Sequence, residues 1–409
     1  MSCDITDAAS GISRPDSITG WQVFLFAVAV GVIVTNLFAP QTLVGMIGPT
    51  LGFEAGTGGL VAMATLLGYA AGLFFLVPLA DLLENRTLVL QMLGCAVLAA
   101  TAAAFAPSAA LLMVVLFALG AACSAIQILV PIAASMAEPE RRGRVIGDVM
   151  SGLMIGILLA RPAASMIADT FGWRAFYATS AAVMTLLAVV LAMRLPLRRP
   201  LGDTGYPALV ASLWHLLRSE PELRRHSFTA SLSMAAFSLF WTSVALRLAE
   251  PPFGLGQRGI ALFALAGAGG AVVTPLFGRA GDRGWTRTGT IFSHCLMVLA
   301  FAISAWAGFA RSGSGSWLLP LLLLGTSAII LDVGVTGDQT LGRRVINLLQ
   351  PEARGRLNGL FVGLFFLGGA AGSAVAGVAW AWGGWLTVCV IGTAIAVVAL
   401  LADCVFRTQ

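Results

Sequence analysis

Twelve apolar runs of about 18 residues or more dominate this sequence and constrain its fold more than any other feature. A helix crosses the hydrocarbon core of a bilayer with roughly 20 apolar residues. The composition agrees, because 58% of the residues are hydrophobic and only 11% are charged, against roughly 25% charged in a soluble domain. The sequence therefore predicts an all-α membrane protein with twelve transmembrane helices. The predicted spans are 21–45, 58–83, 87–105, 109–136, 143–169, 172–195, 226–249, 258–281, 289–309, 317–341, 355–381 and 384–405.

A sequence repeat divides these spans into two sets of six. The loop Pro-Glu-Arg-Arg-Gly-Arg at 139–144 returns 212 residues later as Pro-Glu-Ala-Arg-Gly-Arg at 351–356. At the same offset, the pair Gly172-Trp173 returns as Gly384-Trp385. Duplicated halves in an apolar chain are typical of transporters, whose substrate site lies between the halves. We therefore expect two pseudo-symmetric six-helix halves, related by rotation about an axis along the membrane normal.

The placement of arginine predicts the orientation of the chain. All 24 basic residues are arginine, and nineteen of them fall on one side of the predicted spans against four on the other. Because basic loops remain in the cytoplasm, the arginine-rich side and both termini are predicted to be cytoplasmic, in a bacterial plasma (inner) membrane. We expect a monomer. The chain is predicted to comprise a tail at 1–20, a first half at 21–195, a linker at 196–225 with an amphipathic helix, and a second half at 226–409.

Two loops carry a motif that occurs at corresponding places in the two halves. The first reads Gly72-x8-Asp81-x4-Arg86, and the second reads G-R-A-G-D-R-G at 278–284. Together with the Pro-Glu-x-Arg-Gly-Arg loops, they resemble the major facilitator superfamily, whose loop signature is G-x-L-A-D-x-x-G-R-[RK]. The first copy departs from this signature, with Val77 and Glu84 in place of its two glycines. The resemblance covers essentially the whole chain and implies the twelve-helix fold and a transport function.

Shorter motifs resemble one bacterial branch of that superfamily, the arabinose-efflux or drug:proton antiporter permeases. They are N-L-F-A-P-Q at 36–41, Gln127-x-x-x-Pro131, and Phe237-Ser-x-x-Trp241. Span five departs from the branch, because Arg161 replaces the glycine that usually precedes the proline of G-x-x-x-G-P-x-x-G-G.

The duplicated loops also predict a cytoplasmic gate. A carboxylate is attracted to the unpaired N–H groups at a helix N-terminus. We expect Asp81 near the start of span eleven at Gly355, and Asp282 near the start of span five at Gly143, when the cytoplasmic side is closed. The alternative is that these charges only set the topology. The arginines assigned to the gate are Arg86, Arg142, Arg144, Arg283, Arg354 and Arg356.

Ionisable residues deep inside spans are costly in lipid and therefore point to a functional site. Arg161 lies near the middle of span five and Asp332 near the middle of span ten, with Asp338 closer to the cytoplasm. We expect Arg161 and Asp332 to face a central cavity; the alternative is a buried structural ion pair. Asp332 is the first choice for a proton-coupling carboxylate and Asp338 the second. Arg161 would pair with that carboxylate or hold an anionic group of the substrate.

Five further polar or aromatic residues are candidates for substrate binding. In the resembled superfamily, spans one, four, seven and ten surround the substrate. Each of these side chains has the alternative role of an interhelical contact. The five candidates are Asn36, Gln41, Gln127, Trp241 and Gln339.

These features predict secondary active transport of a small organic solute by alternating access, as proton-coupled efflux. Proton-coupled import or uniport is the alternative within the class, and a membrane sensor or assembly protein is the alternative outside it. No enzyme activity, metal or cofactor is expected, because the cysteines and the three histidines are scattered and no phosphate-binding loop occurs. No nucleic-acid binding is expected either. The expected partners are a small-molecule substrate, protons and the lipid bilayer.

Overall fold

The computed structural model describes residues 18–52, 56–199, 205–308 and 317–405, and within these ranges every regular element is helical. Most of the predicted tail at 1–20, part of the linker, and Arg311 lie outside the described residues. The first set of helices is α1 (Gly20–Phe38), α2 (Pro40–Leu51), α3 (Gly59–Phe75), α4 (Asn85–Ala104), α5 (Ala109–Cys123), α6 (Ile126–Ser135), α7 (Arg142–Phe171) and α8 (Trp173–Arg194). The second is α9 (Tyr206–Ser219), α10 (Pro221–Ala249), α11 (Gln257–Ala264), α12 (Ala268–Asp282), α13 (Thr286–Gly308), α14 (Leu318–Leu349) and α15 (Arg354–Val405).

The twelve predicted spans are confirmed. Ten described helical stretches are long and apolar enough to cross a membrane. One of them, α15, has 52 residues and breaks at Gly383–Gly384, so it supplies two spans. The remaining span is formed by α11 and α12, which a short 3-10 turn at Leu265–Gly267 separates. We refer to α1–α8 as the first half and to α10–α15 as the second half; α9 occupies the predicted linker.

The two Gly-Trp pairs occupy equivalent breaks between consecutive helices. Gly172 and Gly384 have φ angles of 82° and 59°, in the left-handed region that favours glycine. The tryptophan that follows each glycine is buried. Trp173 Nε1 donates to Thr50 Oγ1 at 3.0 Å, and Trp385 Nε1 donates to the Ser304 carbonyl at 2.9 Å. The sequence repeat therefore marks a structural repeat.

Hydrogen bonds identify the helix termini that meet at one end of the bundle, which we call the basic end. The Ile18 amide at the start of α1 donates to Met136 O beyond α6 at 3.2 Å, and the Asn85 amide at the start of α4 donates to Arg198 O beyond α8 at 3.0 Å. The linker helix α9 lies at this end too, because Tyr206 OH donates to Phe75 O at 2.9 Å. We call the opposite end the far end.

Glu84, which departs from the loop signature, caps the start of α4. Its carboxylate accepts hydrogen bonds from the backbone amides of Arg86 and Thr87, each at 2.8 Å, and from the Arg198 amide at 3.2 Å. Slight desolvation raises the pKa of Glu84, but the bonds from Thr87, Arg86 and Arg198 outweigh it and lower the pKa from 4.5 to about 2. The carboxylate is therefore ionised at neutral pH and ties α4 to the segment after α8.

Candidate functional site

A cavity of about 130 Å³ lies between the two halves, near the middle of the long helices. Both halves contribute to it: Arg161 lies on α7 and Asp332 on α14. Most of the other lining side chains are apolar or aromatic, which is the usual character of a small-molecule site. The polar lining residues are Tyr69, Gln127, Arg161, Asp332, Thr336, Gln339 and Arg343.

Arg161 is held by aromatic rings and one amide. Its side chain is 2% exposed, and Nε donates to Gln41 Oε1 at 3.0 Å. The guanidinium carbon lies 4.2 Å from the ring centroid of Trp241, 5.0 Å from that of Phe237 and 5.4 Å from that of Phe38. Such cation–π contacts stabilise a desolvated guanidinium. Nη2 is buried without a hydrogen-bond partner among the described residues, so Arg161 retains unused N–H donors.

Asp332 lines the same cavity from the opposite side to Arg161. Trp241 Nε1 donates to Asp332 Oδ1 at 2.9 Å. A Cβ atom on Gly267 would lie 3.0 Å from Asp332 Oδ2 and 3.6 Å from Arg161 Nη1. The two charged groups therefore flank Gly267, in the turn between α11 and α12. Across the described ranges, no ion pair within 4.0 Å joins them.

Four of the five further candidates lie at this cavity or support its charged residues. Gln127 and Gln339 line it, and Gln127 Nε2 donates to Tyr69 OH at 3.2 Å. Gln41 contacts Arg161 and Trp241 contacts Asp332, as described above. Sequence reasoning did not select Tyr69 or Gly267. Tyr69 occurs in an apolar run without a flanking motif. Gly267 lies between the two charged groups because of the residues packed around it, and its sequence neighbours do not indicate that position.

Asn36 is the fifth candidate, and its expected place in the cavity is wrong. Ser180 Oγ donates to Asn36 Oδ1 at 2.7 Å, and Asn36 Nδ2 lies 3.7 Å from Met184 Sδ. The side chain is completely buried between α1 and α8. Asn36 is therefore an interhelical contact inside the first half.

Asp338 also lies outside the cavity. It follows Asp332 by six residues on α14, which places it on a different face of the helix. Ser233 Oγ donates to Asp338 Oδ2 at 2.8 Å, and His294 Nε2 lies 3.4 Å from Asp338 Oδ1. The scattered positions of the histidines along the chain gave no indication of this contact.

Two wider cavities separate the halves at the basic end. One, of about 690 Å³, lies between Met150 on α7 and Arg344 on α14. The other, of about 390 Å³, has Asp81 on one wall and Gly355 on another, with no hydrogen bond between them. Asp282 accepts a hydrogen bond from Arg344 Nε at 3.1 Å, inside its own half. The contacts expected for a closed gate are therefore not formed in this conformation.

The arginines assigned to the gate mostly contact their own half. Arg86 Nη2 donates to Ala192 O, which fixes the end of α8 rather than contacting the second half. Arg142 Nε donates to Ala137 O at 3.3 Å, and Arg354 Nε donates to Asn347 O at 3.0 Å. Arg283 stacks over Trp285, with 5.8 Å between the guanidinium carbon and the ring centroid. Arg356 Nη1 donates to Ser212 Oγ of the linker helix at 3.0 Å, and Arg144 is exposed.

At the far end the halves are in close contact. Arg258 Nε on α11 lies 2.8 Å from Asp169 Oδ2 on α7. Gly59 on α3 faces α15 so closely that a Cβ atom there would lie 2.1 Å from Ser373 O. The bundle is thus packed at the far end and separated by cavities at the basic end.

Comparison with known proteins relates this arrangement to one family. The sequence model described as Major Facilitator Superfamily matches residues 23–337. The chain is 36% identical over 379 residues to the Uncharacterized transporter YgaY of Escherichia coli O157:H7, covering 93% of this chain and 94% of that protein. It is 32% identical over 373 residues to the Probable transporter SCO4007 of Streptomyces coelicolor, covering 90% and 84%.

A solved structure shares the fold. The crystal structure of the nucleoside transporter NupG superposes with a TM-score of 0.72 over 95% of this chain and 99% of that one, at 16% sequence identity.

Proposed function

The chain belongs to the major facilitator superfamily and is a membrane transporter, and we propose that it exports a small organic solute by alternating access, driven by protons. One observation carries this proposal: a buried arginine and a buried carboxylate from opposite halves flank one cavity without forming an ion pair. An uncompensated charge in hydrocarbon costs about 3 kcal/mol or more. Binding of a solute and of a proton explains charged groups at this position better than helix packing does.

Asp332 is the proposed proton carrier. Trp241 occupies one carboxylate oxygen, whereas the other faces Gly267 and the Arg161 guanidinium. This second oxygen can take up a proton without the loss of a protein hydrogen bond. Arg161, with its unused N–H donors, is the proposed anchor for an anionic or polar group of the solute.

Export is supported by the resemblance of the motifs at 36–41, 127–131 and 237–241 to drug:proton antiporters. A specific feature favours a second candidate, the cotransport of a proton with an anionic solute. Protonation of Asp332 removes the negative charge that faces Arg161 across Gly267, which would leave the guanidinium free for an anion. Uptake driven by opposite pH gradients distinguishes the two, since an antiporter accumulates solute against the proton flow and a cotransporter accumulates it with that flow.

We further propose that the basic end faces the cytoplasm of a bacterium, that both termini lie there, and that the protein acts as a monomer in the plasma membrane. The support is the excess of arginine at this end. In this orientation the conformation described above is open to the cytoplasm and closed to the outside.

The test begins with the solute. A resistance and metabolite-accumulation screen of a deletion strain identifies it, and proteoliposomes then provide two assays, pH-gradient-driven flux and counterflow. We expect Asp332→Asn to abolish proton-driven flux and to retain counterflow, because only the proton carrier is lost. Asp148→Asn, at an exposed position on α7, is the matched control and retains both. Full proton-driven flux by Asp332→Asn would rule out Asp332 as the carrier.

A further inference from the structure

A buried cluster of charged side chains, separate from the cavity, joins four helices of the second half. His294 on α13 lies between Asp338 on α14 and Asp403 on α15. Its Nε2 is 3.4 Å from Asp338 Oδ1, and its Nδ1 is 3.3 Å from Asp403 Oδ2. Arg225 Nη2 on α10 is 3.5 Å from Asp403 Oδ1. His294 and Asp403 have no exposed surface, and Asp338 is 1% exposed.

We propose that this cluster is a proton-binding site in which His294 is held as the doubly protonated imidazolium. A neutral imidazole donates from one ring nitrogen and presents a lone pair at the other. Here each ring nitrogen faces a carboxylate oxygen, so a neutral ring would direct a lone pair at an anion. Only the imidazolium places positive charge beside both carboxylates, in close ion-pair contacts rather than formed hydrogen bonds.

The charge balance of the cluster requires the same proton. Two carboxylates and the Arg225 guanidinium leave one negative charge in excess, and the imidazolium neutralises it. Uncompensated buried charge is strongly unfavourable. Among the described residues, the charged groups that face His294 or its partners are Asp338 from α14, Asp403 from α15 and Arg225 from α10. Ser233 of α10 adds a hydroxyl donor to Asp338.

A metal ion fits these residues less well than a proton does. Ligand atoms of His294, Asp338 and Asp403 lie within 4.8 Å of one another, which is close enough to consider one. However, the two carboxylates face different ring nitrogens. One ion binds a single nitrogen of an imidazole, so the other nitrogen and its carboxylate would remain outside the site.

The proton site has a consequence for Asp338. Its carboxylate faces His294 and Ser233 inside the second half rather than the central cavity, which favours Asp332 as the carrier of transported protons. The cluster holds its proton as a permanent interhelical link between α10, α13, α14 and α15. This inference does not depend on the proposed transport function, and its tests require no solute.

Nitrogen NMR of purified protein labelled with ¹⁵N-histidine tests the protonation state directly. The signals of His294 are identified by their absence from His294→Gln. We expect two protonated ring nitrogens at neutral pH, unchanged by EDTA. One protonated and one unprotonated nitrogen would overturn the proposal, and a spectrum altered by EDTA would indicate a metal ion instead.

Thermal unfolding as a function of pH provides a second test, which remains usable if His294→Gln does not fold. We expect the wild-type Tm to fall at alkaline pH as His294 deprotonates and leaves an excess negative charge. In Asp403→Asn the cluster is balanced without that proton, so His294 should deprotonate at lower pH. An unchanged deprotonation pH in Asp403→Asn contradicts the proposal. His215→Gln, at an exposed position on α9, is the control and follows the wild-type curve.

The double variant His294→Gln with Asp403→Asn separates charge from packing. It removes one positive and one negative group, so the cluster remains neutral. We expect its Tm to lie above that of His294→Gln alone. A lower Tm than in either single variant would mean that packing, rather than charge balance, determines the stability of this region.

Discussion

At the scale of single residues, the central cavity is organised around a position that has no side chain. Gly267 separates Arg161 from Asp332, and both groups approach the space that a Cβ atom would fill. Trp241 links them, since its ring lies under the guanidinium and its Nε1 donates to the carboxylate. The absence of a side chain at 267 therefore leaves space between the two charges, as the proposed proton and solute sites require.

The first prediction concerns this glycine. In Gly267→Ala the new methyl group would lie 3.0 Å from Asp332 Oδ2 and 3.3 Å from Trp241 Cζ2. We expect the transport rate to fall by about tenfold, equivalent to about 1.4 kcal/mol in the barrier, while the protein still folds. Proteoliposome flux and thermal unfolding measure the two effects. Gly256→Ala, where nothing lies within 4 Å of an added Cβ, is the control; equal flux in both variants would contradict the role of Gly267.

At the scale of helices, small residues let backbones meet within each half. On α7, a Cβ atom at Gly152 would lie 2.3 Å from Ala27 O of α1, and one at Gly156 would lie 2.3 Å from Gly31 O. In the second half, α15 meets α10 in the same manner, with a Cβ at Gly368 only 2.0 Å from Ser231 O. Gly156 and Gly368 are separated by the 212 residues of the sequence repeat, so the two halves use the same close contact.

We predict that Gly156→Ala destabilises the folded protein by about 1–3 kcal/mol, the usual cost of overpacking a close contact. The added methyl group would overlap backbone atoms, which cannot move without separating α1 from α7. Denaturant unfolding in detergent measures the change. Gly147→Ala on the same helix, with no atom within 4 Å of the new Cβ, should be nearly neutral. Equal stability of the two variants would show that α1 and α7 adjust without cost.

At the scale of the whole molecule, the two ends of the bundle differ. The far end is closed by the Arg258–Asp169 ion pair and by the packing of Gly59 against Ser373, whereas cavities of about 690 and 390 Å³ separate the halves at the basic end. Alternating access requires that these contacts exchange during transport. Asp81 and Gly355 both line one of the cavities, so the predicted gate contact would form if that cavity closed.

Cross-linking the far end should arrest the transporter. We predict that Asp169→Cys combined with Arg258→Cys, joined by a short bifunctional reagent, abolishes flux because the halves cannot separate there. Solute binding from the basic end should persist. Either single cysteine variant treated with the same reagent is the control. Undiminished flux after complete cross-linking would contradict this opening motion.

Closure at the basic end is tested by Asp81→Asn. The substitution removes the charge that the N-terminus of the helix beginning near Gly355 would attract. We predict slower transport with nearly unchanged solute affinity, since the side chain lies outside the central cavity. Equilibrium binding and initial transport rates, measured on the same preparation, check the prediction. A loss of affinity proportional to the loss of rate would mean that Asp81 belongs to the solute site.

The twelve spans, the two halves, the breaks at Gly172 and Gly384, and the burial of the charged residues Arg161 and Asp332 could all be predicted from the sequence. These conclusions depend on the length of apolar runs and on the cost of charge in lipid, both of which act locally along the chain. Gln127 and Gln339 were selected because spans four and ten surround the substrate in the resembled superfamily, and both side chains line the cavity.

The face that each polar residue presents, and the neighbour that it contacts, became evident only in the folded structure. Asn36 and Asp338 lie on spans that surround the cavity, yet they turn toward Ser180 and His294 inside their own halves. Gly267 and Tyr69 acquired a place at the site, and Arg86 was found to fix α8. Such partners depend on how each helix is rotated against its neighbours. That rotation is set by packing between residues far apart in the chain, which no local pattern encodes.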